Sequence, residues 1–308
     1  VPYNGLSEST LERLYINSDD AYRQMKVSQA SIYLYSKAQE AGRKPRSSGS
    51  IRIGNGIEDL DINGCITEAS SRTIDHLNYQ PIDTGKYLVC FTPEAFLDLI
   101  GAFSSIFNAR SILDGVSLST KDSIGEVISV PELLIADDAL HPANIGSFNF
   151  DGEGTPKQKI SLIENGILKS YLHSEATARQ FGVSPTGHAG LGAKVSVSPD
   201  WLVISKDKTL NSRSKELDHN SYKEDYIMIE SLNALHAGVK ASQGSFSLPF
   251  DGWIVKNNRK VSIEAATVAG DIKNILSNII FIEDESIITH QGVSPHIWVD
   301  NLSITGEA

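Results

Sequence analysis

The side chains best suited to chemistry in this 308-residue sequence form a short run at residues 137–142. Asp137, Asp138 and His141 could bring two carboxylates and an imidazole together from one turn, and these groups bind divalent transition metals. No fourth ligand stands at a useful spacing, and an Asx-type turn ahead of Pro142 explains the same residues. The sequence therefore leaves two interpretations of this run, a turn and a metal site.

The other polar candidates are weaker. The acidic run at residues 283–285 could attract a hard cation, but a run of charges after a strand is more often a solvated surface. Three isolated histidines could each line a cleft or fill a structural role; they are His173, His188 and His236. We find neither a Gly-x-Ser-x-Gly elbow nor a phosphate-binding glycine pattern. These motifs give no reason to expect a serine hydrolase or a nucleotide-binding enzyme.

One extended segment could bind a ligand through its backbone. It combines small, hydroxyl-bearing and aromatic residues, and such a strand can pair with an unfolded peptide that adds to a sheet. A plain interior strand is the alternative. The candidate substrate-binding residues are Gln243, Gly244, Ser245, Phe246 and Ser247.

Charge and composition narrow the range of partners. The net charge of −11 argues against binding along a phosphate backbone. One basic cluster departs from this average, and we interpret it as a solvated hairpin loop rather than a nucleic-acid site; it consists of Lys37, Arg43, Lys44, Arg46 and Arg52. Cys65 and Cys90 fit buried reduced thiols. With no apolar run long enough for a bilayer and no leader sequence, we expect a cytoplasmic protein without membrane contact.

Hydrophobic patterning predicts the elements that position these groups. Alternation over residues 11–36 and 50–69 predicts antiparallel strands, and residues 1–82 read as a small sheet domain. In the following domain, residues 85–307, Thr92-Pro93-Glu94 opens a helix whose apolar stripe continues to Phe107. Turns at 165–166 and 257–258 predict two hairpins. Each is followed by a helix, at 174–182 and 271–278, so we predict an α+β fold of mainly antiparallel sheets with a few packed helices.

Several blocks of sequence carry a family resemblance. Residues 242–258 read SQGSFSLPFDGWIVKNN, and further matching blocks fall at 150–156, 162–172 and 178–189. Taken together, in their order along the chain, these blocks resemble the TldD/PmbA family of bacterial metalloproteases, once called modulators of DNA gyrase. The resemblance is to its PmbA/TldE branch in particular. A further domain precedes residues 1–5 in the family, which implies that this chain lacks its N-terminal domain.

The resemblance also implies what is missing. The TldD branch carries a zinc-binding H-E-x-x-x-H motif on the core helix, with a third ligand later in the chain. Alignment of that helix puts the motif positions on Gly101, Ala102 and Ile106, which bind no metal. We therefore expect no catalytic or metal-binding residue and no cofactor in this chain. Zinc is expected in a TldD-like partner.

Three functions stay open at this point. The resemblance favours a non-catalytic subunit, silent alone, that forms a heterodimer with a TldD-like chain and helps to cleave unfolded peptides; a homodimer would not contradict this. A self-sufficient metallopeptidase would need a site such as Asp137, Asp138 and His141. A regulatory protein that binds gyrase or another macromolecule without proteolysis is the third interpretation.

Overall fold

The computed structural model describes residues 3–210, 218–219, 222, 224–257 and 259–306. Its first part is a three-stranded antiparallel sheet covered by one helix. The elements are β1 (Gly5–Ile16), β2 (Tyr22–Ala38), β3 (Arg46–Gly54) and α1 (Ile62–Asp75). Ala30, Ile32, Leu60 and Cys65 form a small core between the helix and the sheet.

The predicted strand over residues 50–69 is wrong beyond Gly54, because α1 begins at Ile62. The Asp61 side chain caps this helix by accepting a hydrogen bond from the Gly64 backbone N–H. The buried residues Cys65, Ala69 and Thr73 are spaced four apart, which is helical spacing. The short alternation at Leu60 and Ile62 was compatible with a strand but spans too few residues to decide.

The second part contains two larger sheets. The strands are β4 (Tyr79–Gln80), β5 (Gly85–Phe91), β6 (Leu133–Asp138), β7 (Lys159–Glu164), β8 (Ile167–Leu168), β9 (Ala189–Gly190), β10 (Ser196–Val197), β11 (Leu202–Lys206), β12 (Tyr226–Leu232), β13 (Val239–Lys240), β14 (Ser245–Lys256), β15 (Arg259–Ile263), β16 (Ala266–Asp271), β17 (Ile279–Ile282), β18 (Ile287–Ile288), β19 (Gly292–Ser294) and β20 (Ile297–Gly306).

The nine-stranded sheet has the order β12-β5-β20-β16-β14-β15-β4, with β13 paired to β14 and β17 to β20. The six-stranded sheet has the order β18-β19-β11-β6-β7-β8. Most strand pairs are antiparallel, as predicted.

Among the described residues, five helices pack between these sheets: α2 (Pro93–Ala102), α3 (Ala109–Leu113), α4 (Glu175–Phe181), α5 (Leu235–Gly238) and α6 (Ile272–Ser277). The predicted start of α2 is confirmed, because Thr92 accepts a hydrogen bond from the Ala95 N–H and Pro93 stands in the first turn. The α-helix ends at Ala102, however, and the predicted stripe continues as a 3₁₀ turn over Ser104–Phe107. The whole stripe is nevertheless buried in the main core.

The predicted turns and the two helices that follow them are confirmed where the structure describes them, and the helices have clear local caps. Asn165 and Gly166 join β7 to β8 with φ values of 54° and 72°, as a type I′ turn requires. Ser174 caps α4, and Gly182 ends it in a left-handed conformation. Asp271 caps α6. In the second hairpin Asn257 has φ 48°, whereas Asn258 lies outside the described residues.

The basic cluster joins the two parts of the molecule. The guanidinium groups of Arg43 and Arg46 lie 4.8 and 4.3 Å from the ring centroid of Tyr79, and Arg46 donates a 2.7 Å hydrogen bond to the Ile263 carbonyl. The interpretation as a solvated loop is wrong for these residues, whose charges serve internal contacts. Across the described ranges, the helices are all too short or too polar to span a bilayer.

Candidate functional site

A cavity of about 840 Å³ lies between the first sheet and the second part of the chain. Its walls come from β3, from one side of α1, from the start of α2 and from residues 287–291. We call this cavity, together with the groove that adjoins it along α2, the cleft. Asp200 and Trp201 form a further part of the wall. Pockets of this size hold ligands or peptide segments, which makes the cavity the first candidate for a binding site.

Two strand edges border this cavity. β3 is the last strand of the first sheet and β18 is the last strand of the six-stranded sheet, so each has one neighbour among the described strands. Residues 51–53 of β3 and residues 287–288 of β18 line the cavity. Backbone N–H and C=O groups along such edges are templates for an added strand.

The β1–β2 hairpin closes one side of the molecule near the cavity. The Arg13 guanidinium lies 4.1 Å from the ring centroid of Phe148 and donates a 3.4 Å hydrogen bond to the Phe150 carbonyl. Gln29 of β2 lines the cavity itself. The hairpin therefore connects the first sheet with the loop that precedes β7.

A charged network crosses the floor of the cleft. Arg72 on α1 lies 2.7 Å from Glu68 and 3.6 Å from Glu230 on β12. Glu230 also accepts 3.0 Å hydrogen bonds from His76 Nε2 and from the Trp253 indole N–H. Burial by itself would raise the pKa of Glu230, but the hydrogen bonds and the Arg72 charge lower it below the ordinary value. This network connects α1 to the nine-stranded sheet.

The same network contains a serine, a histidine and a glutamate in line, but its geometry is structural. Ser262 Oγ lies 2.7 Å from His76 Nδ1, and Glu230 binds the other ring nitrogen. In serine hydrolases the nucleophile instead contacts Nε2 and the acid contacts Nδ1. Ser262 is 1% exposed and does not line the cavity, so a substrate carbonyl cannot reach it.

Helix α2 presents two carboxylates to the cleft. Glu94 and Asp98 lie one turn apart and line adjoining parts of it, whereas Gly101 and Ala102 line a separate depression near α5. Ile106 lies in the core. The carboxylates that α2 presents to the cleft are therefore Glu94 and Asp98, and the positions that the sequence alignment placed at the H-E-x-x-x-H motif do not line it.

The run at 137–142 does not assemble into the metal site considered from the sequence. Asp138 pairs with Lys159 at 3.4 Å, and the His141 ring stacks on Trp201 with centroids 6.0 Å apart. Adjacent residues of β6 point to opposite faces of the sheet, so Asp137 turns away from Asp138. The interpretation that grouped Asp137, Asp138 and His141 is wrong.

Asp137 instead meets two residues that the sequence did not group with it. Its Oδ1 lies 2.9 Å from His188 Nε2, and Asp200 Oδ2 lies 4.0 Å from the same nitrogen. Lys157 donates a 2.7 Å hydrogen bond to Asp200 Oδ1. Burial raises the pKa of Asp200 above its ordinary value, although Lys157 opposes this effect. Asp200 is the member of this cluster that lines the cavity.

A second titratable cluster involves the acidic run at 283–285. Glu283 is buried, so the interpretation as a solvated run is wrong for this residue. It contacts His219 Nδ1 at 2.8 Å and lies 3.7 Å from His296 Nδ1. The two imidazole rings stack with centroids 3.8 Å apart. Burial, with the nearby His219 charge, lowers the pKa of His296 to about 4.

The remaining predicted residues lie elsewhere. His173 is buried beside Thr177, and burial lowers its pKa to about 4. His236 lies in the depression near α5. Gln243 and Gly244 lie in the turn before β14, and the other three candidate substrate-binding residues begin that strand. Ser245 and Phe246 pair with β13 on one side and β16 on the other. A peptide could add there only by displacing β13, and substrate binding by this segment stays a prediction.

One donor at the cavity wall has no partner. The Trp201 indole N–H makes no hydrogen bond to any described residue, and Trp201 is only 6% exposed. An unpaired buried donor is energetically costly. Sequence reasoning had no signal for this residue, because only the fold shows which donors lack a partner.

The chain is an α+β protein with two strand edges along a carboxylate-rich cleft. Residues 1–77 match the central domain, and residues 84–306 the C-terminal domain, of the PmbA/TldA metallopeptidases. The chain belongs to the PmbA/TldD metallopeptidase family.

Individual relatives agree with this assignment. A metalloprotease of Methanocaldococcus jannaschii is 30% identical over 58% of this chain and 40% of its own length. The metalloprotease PmbA of Escherichia coli is 26% identical over 80% of this chain and 52% of its own. The chain thus spans about half the length of these relatives or less. A crystal structure of a Thermotoga maritima protein, a candidate modulator of a DNA gyrase, has a TM-score of 0.86 and 25% identity over 97% of this chain and 68% of that one. TldE of Thermococcus kodakarensis shares the fold, with a TM-score of 0.82 over 98% of this chain and 68% of that one and 21% identity.

The residues of α2 do not fit the zinc centre of the TldD branch. At the cleft the helix offers Pro93, Glu94 and Asp98, and proline has no side-chain donor for a metal. Gly101, Ala102 and Ile106, which the sequence alignment placed at the motif positions, have no side-chain donor for a metal either. No reaction step through zinc on this helix follows from the structure.

Proposed function

We propose that this chain is a non-catalytic subunit of the TldE/PmbA type, which pairs with a zinc-bearing TldD-like chain in a peptidase that cleaves unfolded peptides. The observation that carries the proposal is the cleft-facing side of α2. This side presents a glutamate and an aspartate to the cleft, and α2 contains no histidine that could bind zinc. The chain thus has the family's fold without the ligand set that would activate water on this helix.

The cleft supports a peptide as the substrate. Strand addition along β3 or β18 uses backbone groups, so it accepts many sequences but requires an extended chain. A folded protein cannot present an unpaired strand to a cleft bordered on both sides, which restricts substrates to unfolded segments.

Reconstitution tests the proposal. The chain, the TldD-like protein of the same source and their mixture are each incubated with an unstructured fluorogenic peptide. We expect cleavage by the mixture to exceed the sum of the separate rates, and size-exclusion chromatography to show a complex. Full activity of the TldD-like protein alone, with no complex, would contradict the proposal.

A self-sufficient metallopeptidase is the second candidate, because the cluster of Asp137, His188 and Asp200 reaches the cavity. It predicts metal-dependent peptide cleavage by this chain alone. A cleavage activity of the isolated chain that is lost in Asp200→Asn would favour it over the subunit role.

A further inference from the structure

We propose that Asp137, His188 and Asp200 form a divalent transition-metal site in this chain, distinct from the zinc centre that the family carries on its core helix. The proposal concerns metal binding by the isolated chain. It therefore stands or falls independently of the proposed subunit role.

The donor atoms converge on one point. Asp137 Oδ1 and Asp200 Oδ2 lie 2.9 and 4.0 Å from His188 Nε2, and the three side chains each offer one donor atom within 4.8 Å of the others. Metal bonds near 2.1 Å in tetrahedral geometry separate neighbouring donor atoms by about 3.4 Å. The two separations from His188 Nε2 fall on both sides of this value, so small side-chain shifts would bring the donors around one ion.

Each ligand is held by a second contact on its far side. His188 Nδ1 lies 3.0 Å from Thr186 Oγ1, which fixes the ring and leaves Nε2 for the metal. The other oxygen of Asp137 accepts hydrogen bonds from the backbone N–H groups of Asp200 and Trp201 at 2.8 and 3.3 Å. Lys157 holds the other oxygen of Asp200. Metal ligands in proteins are oriented by contacts of this kind.

Charge and access favour a bound cation. Two carboxyl groups face the imidazole of His188, and the side chains of Asp137 and His188 are fully buried. The ammonium of Lys157 lies 2.7 Å from Asp200 Oδ1, on the oxygen that faces away from His188, so the inward donors stay free for an ion. Asp200 lines the cavity, so an ion can enter from there and keep a position open toward it.

The donor types narrow the identity of the ion. One imidazole and two carboxylates suit zinc, manganese or ferrous iron, whereas magnesium and calcium favour all-oxygen sites. The cluster of His219, Glu283 and His296 is less suitable although its atoms are as close. Its two rings are stacked at an interplanar angle of 21°, and an ion cannot lie in the plane of both rings unless they turn.

Zinc titration of the chelator-treated chain tests the site. By isothermal titration calorimetry we expect one zinc ion per wild-type chain. Asp200→Asn and His188→Asn should each weaken binding at least about tenfold, since they remove direct ligands. His141→Asn is the matched control, because His141 belongs to the same region but contacts Trp201 rather than the cluster. His219→Asn tests the rival cluster.

Anomalous diffraction from wild-type crystals soaked in zinc provides a measurement that needs no variant to fold. A peak between Asp137, His188 and Asp200 is the expected result. The proposal is overturned if the wild-type chain binds no zinc, if Asp200→Asn and His188→Asn bind as tightly as wild type, or if His219→Asn alone removes the ion.

Discussion

Replacing Glu230 should weaken the contact between the two parts of the molecule and destabilise the fold, because this side chain contacts both parts. It accepts hydrogen bonds from His76 at the C-terminal end of α1 and from Trp253 on β14, and it lies 3.6 Å from Arg72. In Glu230→Ala the buried His76 donor and the half-buried Trp253 donor lose their acceptor. An unsatisfied buried donor costs about 1–3 kcal/mol. Two donors therefore predict a loss of about 2–5 kcal/mol in the free energy of unfolding.

Urea unfolding followed by tryptophan fluorescence measures this loss. Glu230→Gln keeps the size and one acceptor oxygen, so we expect it to lose about 1–2 kcal/mol, less than the alanine variant. Equal losses in the two variants would show that the negative charge, which both remove, matters at this position rather than the acceptor oxygen or the volume that glutamine keeps. A loss below about 1 kcal/mol in Glu230→Ala would refute the role of Glu230 in joining the two parts.

The lowered pKa of Glu230 gives the same network a pH dependence. A carboxylate whose pKa is lower in the folded than in the unfolded state stabilises the fold above the unfolded value, about 4.3, and this contribution disappears as pH falls through the folded pKa. The wild-type chain should therefore lose stability below about pH 4 more steeply than Glu230→Gln. Identical acid limbs for the two proteins would contradict the lowered pKa.

Two further substitutions test structural assignments. Ser262→Ala should reduce stability by about 1 kcal/mol in urea unfolding yet leave peptide cleavage by the reconstituted complex unchanged, because Ser262 is a buried contact of His76; a loss of cleavage would make it functional. Gly187→Ala should destabilise by at least about 1 kcal/mol, since Gly187 has φ 78° and an added Cβ would lie 2.5 Å from the Pro156 carbonyl oxygen; wild-type stability would contradict this backbone conformation.

Local signals were sufficient for much of the fold. The Asn165-Gly166 turn, the Ser174 cap and the Asp271 cap each act within a few residues, so the sequence contains the complete physical cause of the turn or helix end. Helix α1 was not predicted, because the alternating apolar residues Leu60 and Ile62 suggested a strand. The Asp61 side chain that caps the helix was not recognised as a start signal. Short apolar patterns do not separate a strand from a helix.

The candidate site was less predictable, because its members are distant in the chain. Asp137 meets His188 across 51 positions and the Asp200 backbone across 63, and the pairing of β6 with β11 brings Asp137 close to Asp200. The sequence singled out Asp137 and His188 separately but grouped Asp137 with its sequence neighbours. Strand alternation argues against that grouping, since Asp137 and Asp138 face opposite sides of one sheet.

The subunit role is tested most directly by Glu94→Gln in this chain, combined with the wild-type TldD-like partner. Loss of a general base lowers kcat by about 10²–10⁴-fold, whereas loss of a cleft contact acts mainly on KM. If the partner supplies the catalytic groups, kcat of the complex should stay within about twofold of wild type, whatever happens to KM. A fall in kcat of about 100-fold or more would show that this chain performs the chemistry.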